Sequence, residues 1–568
     1  MEQQDTGKPS GATEAIPQTV PEPGLVQNSA GGFVYEISDL SRLRRFLVLG
    51  CEGGTLYASE QKLGLENAAA LKRLIQAGRG PECVEEIRKF STEGRAPKQG
   101  PMLFALAVCA ASGDHATREA VYQVLSKVCR IPTHLFMFLE FSKQLKLGWG
   151  RAHRTAIGKW YNSKKAQNLA YAITKYKNRE GWTHLDVIRL SHVKASDESH
   201  NVLYQYLSKG YDKMMAHPTV AALGEAKPVV GTDMDEEGGA DVAAAVDPLV
   251  DLQAAVSLLT AVEEAKTCKS AARMSQLIAD FNLAREHVPT ELLNSVEVWA
   301  ALLKRMPMTA LIRNLAKMTA IRLLTPLGDG TATVVAKLLD AEAVRASRLH
   351  PLAVLIAMRT YQSGHGDKGS LVWQPIDEVV AALDRCFYLA FSNVESTGKR
   401  HLLALDVSGS MSGGQISGCN ITPREASGAM AMVLAEKERA TFMAFCEEFV
   451  PLPISKGMRL DSVIDAISDL PFGGTDCSLP MLWALEQKAP VDVFVVFTDN
   501  ETYAGDIKPA AALKQYREAM GIDSKLVVVG MTATGFSIAD PSDPGMLDVV
   551  GFDASSPEVI RQFVLGNI

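Results

Sequence analysis

Leu403-Ala-Leu-Asp406-Val-Ser408-Gly-Ser410 is the stretch that decides how the C-terminal part of this chain folds. An apolar run ends in an acid and two hydroxyls at alternate positions. The run His401 to Leu405 predicts a buried strand, because parallel strands covered on both faces are nearly continuously apolar. The chain must turn after it, and glycines 409, 413 and 414 are expected to permit the turn. Asp406, Ser408 and Ser410 then point into one small space lined by oxygen only. Such a space suits a hard divalent cation, Mg2+ above all. Two later segments add to the shell: Gly473-Gly-Thr475-Asp places a hydroxyl on a loop, and Val493-Phe-Val-Val-Phe-Thr-Asp499 is a second apolar strand ending in an acid.

Around these pieces strand-like and helix-like runs alternate. Strands are expected at 401–405, 441–445, 491–497, 525–530 and 546–550. Helices fall between them, at 424–437, 461–470, 479–487 and 509–519. This alternation predicts a doubly wound parallel sheet, whose ligand site lies outside the carboxyl ends of the strands at the switch point. Asp406 and Asp499 fall there. Taken singly, Asp406 and Ser408 could merely cap a helix and close a turn; that explains one piece but not three in order. The set Asp406, Ser408, Ser410, Thr475 and Asp499 resembles the metal-ion-dependent adhesion site of von Willebrand factor A-type domains.

With 568 residues the chain should hold two or three domains. Its 47% apolar and 22% charged content is that of a folded protein. No run of 18 apolar residues occurs, so no membrane span is expected. The N-terminus lacks the basic start and apolar core of a secretory signal. Nine cysteines are scattered without a CxxC pair. Cys109, Cys129, Cys386 and Cys446 sit in apolar surroundings and are expected to be buried thiols, which points to the cytosol or nucleus.

Residues 1–30 read as a disordered tail and residues 31–395 as a helical domain, with an A-type domain over 396–568. In the helical part, segments such as Pro101 to Val108 and Met308 to Met318 carry apolar residues at i, i+3, i+4 and i+7. Helix after helix without intervening strands suggests a stacked solenoid. Residues 222–251 interrupt it with eight acids against one lysine, and read as a solvated insertion.

The net charge of −7 hides an uneven distribution. From Phe141 to Lys194 there are twelve Lys and Arg against Glu180 and Asp186, a net of +10, so the remainder carries −17. A stretch that basic in an acidic chain is a candidate polyanion surface. Trp149, Trp160, Tyr161, Tyr171, Tyr176 and Trp182 are interleaved; Trp160, Tyr171 and Trp182 are expected to serve as core instead of stacking on bases. Composition alone does not separate RNA from DNA or from an acidic protein.

Helical region, basic middle and A-type end together resemble the Ro 60-kDa autoantigen family with its TROVE domain. The resemblance runs through Gln61-Lys-Leu-Gly-Leu-Glu-Asn, Val128-Cys-Arg-Ile-Pro-Thr-His, Leu190-Ser-His-Val-Lys, Pro307-Met-Thr-Ala-Leu-Ile-Arg and Gly474-Thr-Asp-Cys-Ser. It implies an all-α ring of HEAT-like repeats followed by the doubly wound α/β domain. It implies Y RNAs on the outer basic surface, and single-stranded 3′ ends of misfolded non-coding RNAs in the central hole. Lys175, Arg179 and His192 carry over as the first Y RNA contacts, since the strings around them match. Arg151, Arg154, Lys159, Lys164, Lys177 and Arg189 carry over as supporting RNA-binding residues. The resemblance further implies an RNA-quality-control scaffold, without catalysis, acting as a monomer in the cytoplasm with a nuclear fraction. The alternative is an adaptor that docks an acidic protein partner through the metal site. No nucleophile–base pair and no phosphate-cradling loop supports an enzyme.

Overall fold

The computed structural model describes residues 15–567, apart from 52–54, 56–59, 224–246, 367–369, 392–394, 417–420, 437, 469 and 471–472. Contacts divide the chain into two compact units. One holds residues 1–71, 95–98 and 391–568; the other holds 72–94 and 99–390. The strands described are β1 (Leu25–Gln27), β2 (Phe33–Glu36), β3 (Asn178–Arg179), β4 (Trp182–Thr183), β5 (Arg400–Asp406), β6 (Arg439–Phe445), β7 (Phe449–Pro451), β8 (Val493–Thr498), β9 (Lys525–Gly530), β10 (Phe536–Ser537) and β11 (Met546–Val550).

The first unit is built on a six-stranded sheet in the order β11-β9-β8-β5-β6-β7. Five strands are parallel, and β7 runs antiparallel to β6 at the edge. The sheet is therefore mixed, not purely parallel as the alternation suggested. The short run after Phe445 turns straight back as a hairpin, which needs no crossover helix. β8 is buried along its whole length and β5 from its second residue on, which is why both read as unbroken apolar runs. Helices Pro423–Ala435, Leu460–Ser468, Leu479–Glu486, Pro509–Met520 and Ser556–Leu565 complete the layers. Leu402, Ala404, Phe494, Val496 and Val528 form the core with Tyr516 and Met481. Fully burying each large apolar side chain contributes about 1.5–3 kcal/mol.

The expected disordered tail is corrected from residue 15 onward; residues 1–14 lie outside the described residues. β1 and β2 pair antiparallel, and β2 pairs with β10 in a three-stranded sheet. Val34 joins the A-type core. Gln18 is buried, with its Nε2 donating to Asp476 Oδ1 at 2.7 Å and to the Ile507 carbonyl at 3.0 Å. Lys508 Nζ reaches the carbonyls of Pro17 (3.0 Å) and Val20 (2.8 Å). Arg45, on helix Asp39–Leu49, is fully buried; its guanidinium pairs with Asp548 and donates to the Phe536 carbonyl at 2.9 Å.

The second unit is helical. Gly80–Thr92 packs on both Gly100–Ser112 and His115–Val128, and Gly100–Ser112 packs on Pro132–Gln144. Most of its helices pack on the next helix or the next but one, the pattern of stacked helix pairs. Its only described strands are the two-residue β3 and β4, a hairpin. Most of the acidic insertion (224–246) lies outside the described residues, but its last expected residue, Asp251, belongs to helix Pro248–Thr267. Asp251 accepts from the amides of Ala166 (2.6 Å) and Gln167 (3.1 Å), so it caps helix Ala166–Lys175. No helix among the described residues is long and apolar enough to cross a membrane. The described cysteines are free thiols. Cys109, Cys129 and Cys386 are buried as expected, whereas Cys446 is half-buried.

Candidate functional site

β5 lies between β6 and β8, and the chain leaves it toward β6 before returning to form β8 on its other side. That arrangement opens a crevice at the carboxyl ends of β5 and β8. The register sets Leu405 beside Phe497, so the next residues, Asp406 and Thr498, lie side by side. Thr498 Oγ1 donates to Asp406 Oδ2 at 2.6 Å, and the Ser408 amide donates to Asp406 Oδ1 at 2.9 Å. Ser408 Oγ lies 3.0 Å from Ser410 Oγ. Ser408 precedes a single helical turn, Gly409–Ser412, without capping it through its side chain. Neither Gly409, Gly413 nor Gly414 takes a positive φ, so the expected glycine-dependent turn is closed by the Asp406 side chain instead.

Asp499 follows β8, buried, and accepts from the Glu501 amide at 3.0 Å and from the Ser410 hydroxyl. Thr475 is buried on a neighbouring loop. Its carbonyl accepts from the amides of Tyr503 (2.9 Å) and Ala504 (3.0 Å), which ties that loop to the segment after Asp499. Two residues on, Cys477 Sγ sits 3.6 Å from Thr498 Oγ1. Gly474 is needed for close approach: a Cβ there would lie 2.8 Å from Glu447 Oε1 and 2.9 Å from Tyr503 Oη.

Burial pushes the Asp406 carboxyl above the usual carboxylate range, against the hydrogen bonds from Ser408 and Thr498. Asp499 is pushed well above that range by burial, then by the negative charge of Asp406, then by Glu501. Two buried carboxylates that feel each other's charge, with the hydroxyls of Ser408 and Ser410 beside them, form an oxygen donor set suited to a hard divalent cation. Among the described residues no group of three or more His, Cys, Asp and Glu could hold a metal. A cation here would therefore depend on the hydroxyls of Ser408, Ser410 and Thr475. Thr498 and Arg424 were not singled out in the sequence. Arg424, buried on helix Pro423–Ala435, lowers Asp406 electrostatically. Thr498 was legible as the residue that in-register pairing sets beside Asp406. Asn28 was not: its Nδ2 donates to the carbonyls of Asn500 (3.1 Å) and Thr502 (2.8 Å) from 472 and 474 residues away.

The basic candidates lie on consecutive elements of the helical unit. Arg151 and Lys159 are exposed on helix Arg151–Asn162, and Arg154 is half-buried there. This helix packs against His184–Ser191, which carries the exposed Arg189 and ends at His192. His192 is exposed in a left-handed conformation at φ 50°. Lys177 and Arg179 are exposed at the β3–β4 hairpin. Arg179 Nε lies 3.3 Å from Glu180 Oε1, both well exposed, a pair that water screens. Asp186 accepts from the Thr183 hydroxyl at 2.6 Å in a capping box, so one of the two acids in the stretch serves the helix start.

Two candidates need correction. Lys175 is only 8% exposed, and its ammonium lies over the rings of Tyr171 (5.5 Å) and Tyr176 (5.1 Å). Lys164 is half-buried over Trp160 at 4.4 Å and donates to the Arg130 carbonyl at 3.3 Å. Both charges are held by cation–π contacts rather than projecting freely. The aromatic expectation is met at Trp160 and Trp182, which are buried, while Tyr171 is half-buried. Trp182 Nε1 donates to Glu140 Oε2 at 3.1 Å and anchors the hairpin. His184 sits between the Tyr176 carbonyl (3.0 Å) and the Tyr161 hydroxyl (2.9 Å), and burial lowers its pKa to about 4.

Family comparisons divide the chain at the same place as its chemistry. The TROVE domain matches residues 26–399, and the Ro60 vWA domain matches residues 400–564. The RNA-binding protein RO60 of Caenorhabditis elegans is 38% identical over 586 residues, covering 96% of this chain and 91% of that one. The protein of the same name from Deinococcus radiodurans is 39% identical over 548 residues, covering 96% of each. The crystal structure of the Deinococcus radiodurans RO (RSR) protein superposes with a TM-score of 0.64 at 37% identity, covering 94% of this chain and 100% of that one.

Proposed function

The chain belongs to the Ro60 family, a TROVE domain followed by a Ro60 vWA domain, and from that premise we propose that it is an RNA-binding scaffold. Relatives covering nearly the whole chain are named for RNA binding. The observation that carries the reading is the sorting of the basic stretch. Its aromatics Trp160 and Trp182 are buried, while Arg151, Lys159, Lys177, Arg179, Arg189 and His192 stay exposed around them. Exposed cations of this kind suit phosphate, with arginine forks binding two oxygens at once. In this reading the ligands are Y RNAs and misfolded small non-coding RNAs, and the outcome is their retention and quality control. Side chains on helices cannot read the deep, narrow major groove of A-form RNA, so duplex is recognised by shape and backbone. The proposal assigns no catalytic step, and it places the protein in the cytoplasm with a nuclear fraction, as a monomer. Arg179→Ala and His192→Ala together should weaken binding to a stem-loop Y-like RNA about tenfold or more in a gel-shift titration. Unchanged affinity would remove this surface from the account.

A second reading rests on the buried carboxylates. Asp406, Ser408, Ser410, Thr475 and Asp499 would hold a divalent cation such as Mg2+ and leave a position for a carboxylate of an acidic protein partner. Thr498 orients Asp406 beneath it through its hydroxyl, and the Arg424 charge favours the ionised carboxylate. Isothermal titration with Mg2+ tests the site: heat in the wild type that disappears in Asp406→Ala supports it, and none in the wild type removes it.

A further inference from the structure

The helical unit carries an open groove of about 900 Å³ between helices His115–Val128 and Arg151–Asn162. Its rim carries the exposed Arg118, Arg151 and Lys159. Among the described residues no acid pairs with any of these three. The one acid lining the groove, Glu119, accepts from Gln123 Nε2 at 3.3 Å and lies 3.9 Å from His115 Nδ1. Half-buried Tyr122 lines the groove, and the buried His153 ring packs edge-on against it from beneath. The His153 ring centroid lies 5.8 Å from that of Tyr122 and 5.2 Å from that of Trp149. His153 is only 3% exposed, and its Nδ1 is sealed without a hydrogen-bond partner. Burial lowers its pKa to about 4, so at neutral pH the ring is an uncharged support for Tyr122.

A cationic rim over an aromatic floor fits a polyanion with flat apolar faces to offer. A duplex offers phosphates but keeps its base faces stacked; a single strand offers both. We propose that this groove binds an unpaired segment of RNA, with phosphates on Arg118, Arg151 and Lys159 and a base laid on Tyr122, which His153 supports from beneath. The proposal rests on the RNA-binding reading and deepens it. It adds Arg118 and Tyr122, neither of which the basic stretch or the family strings singled out, and gives this face a preference for loops, bulges or tails over paired stems.

The test uses the full chain with three probes: a short oligouridylate, a blunt RNA duplex and a stem-loop RNA. Tyr122→Ala should weaken oligouridylate binding about tenfold, the loss of one stacked base, and leave the blunt duplex unchanged. Tyr122→Phe should retain wild-type affinity. Arg118→Ala should lower the salt slope for oligouridylate by about 0.7, one single-strand phosphate contact. An oligouridylate carrying 4-thiouridine should cross-link to the peptides containing Tyr122 or His153. Equal losses for oligouridylate and duplex, full competition by polyglutamate, or cross-links elsewhere only would overturn the base site. A wild type that binds the stem-loop but not oligouridylate overturns this inference alone. A wild type that binds none of the three sinks the RNA reading itself.

Discussion

At the scale of single residues, burial decides which ionisable groups matter. Asp406 and Asp499 are held together in a dry crevice, and a cation bound there would act as a ligand of the native state alone. Mg2+ at a hundredfold excess over its Kd should therefore stabilise the protein by about 2.7 kcal/mol, and Asp406→Ala should abolish that gain in a thermal melt. The helical unit has a different sensitivity. Burial lowers His134 and His287 to about 3, and His153 and His184 to about 4, from an ordinary 6.5. These rings stay neutral in the fold but take up protons when the chain unfolds. Their contribution is complete above pH 6.5 and is lost as pH falls toward those lowered values. Each costs about 1.4 kcal/mol per pH unit within that window. Denaturant midpoints from pH 7.5 down to 5 should fall accordingly, and His287→Phe should flatten the slope. That Asp406, Ser408 and Ser410 come together was legible because acid and hydroxyls alternate at a strand end. The burial of Lys175 was not legible, because a charge count cannot see that its ammonium lies over Tyr171 and Tyr176.

At the scale of elements, the sequence was readable where burial is two-sided and partners are near. β9 and β11 have the predicted limits, and β5, β6 and β8 lie within two residues of theirs; for the central β5, β8 and β9 the reason is that a strand covered on both faces shows a nearly unbroken apolar run. β7 was missed as a three-residue edge strand, and β1 and β2 were missed because their register is completed by β10, some five hundred residues away. No local pattern encodes such a pairing. The cost of losing the tie can be measured. Arg45→Ala would leave Asp548 without its buried partner and should destabilise the unit by about 3–5 kcal/mol, seen as a lower urea midpoint with no change in RNA affinity. Asp251→Ala strips two amide acceptors from the start of helix Ala166–Lys175 and should cost about 1–2 kcal/mol.

For the whole molecule, charge is segregated along the chain: +10 within 54 residues of the helical unit and −17 elsewhere. Electrostatics of that kind serves association more than folding. Phosphate neutralisation releases counterions, so affinity must fall with salt in proportion to the number of contacts. The oxygen site of the Ro60 vWA domain lies outside the basic stretch, and Asp406→Ala should leave RNA binding intact. The measurement that tests the central claim most directly is a titration of the full chain with a stem-loop RNA at 50 and 200 mM salt. With about six phosphates engaged, the account predicts tight binding that weakens ~10³-fold between the two salts. Absent binding, or affinity indifferent to salt, would contradict it and return the basic stretch to an ordinary solvated helix surface.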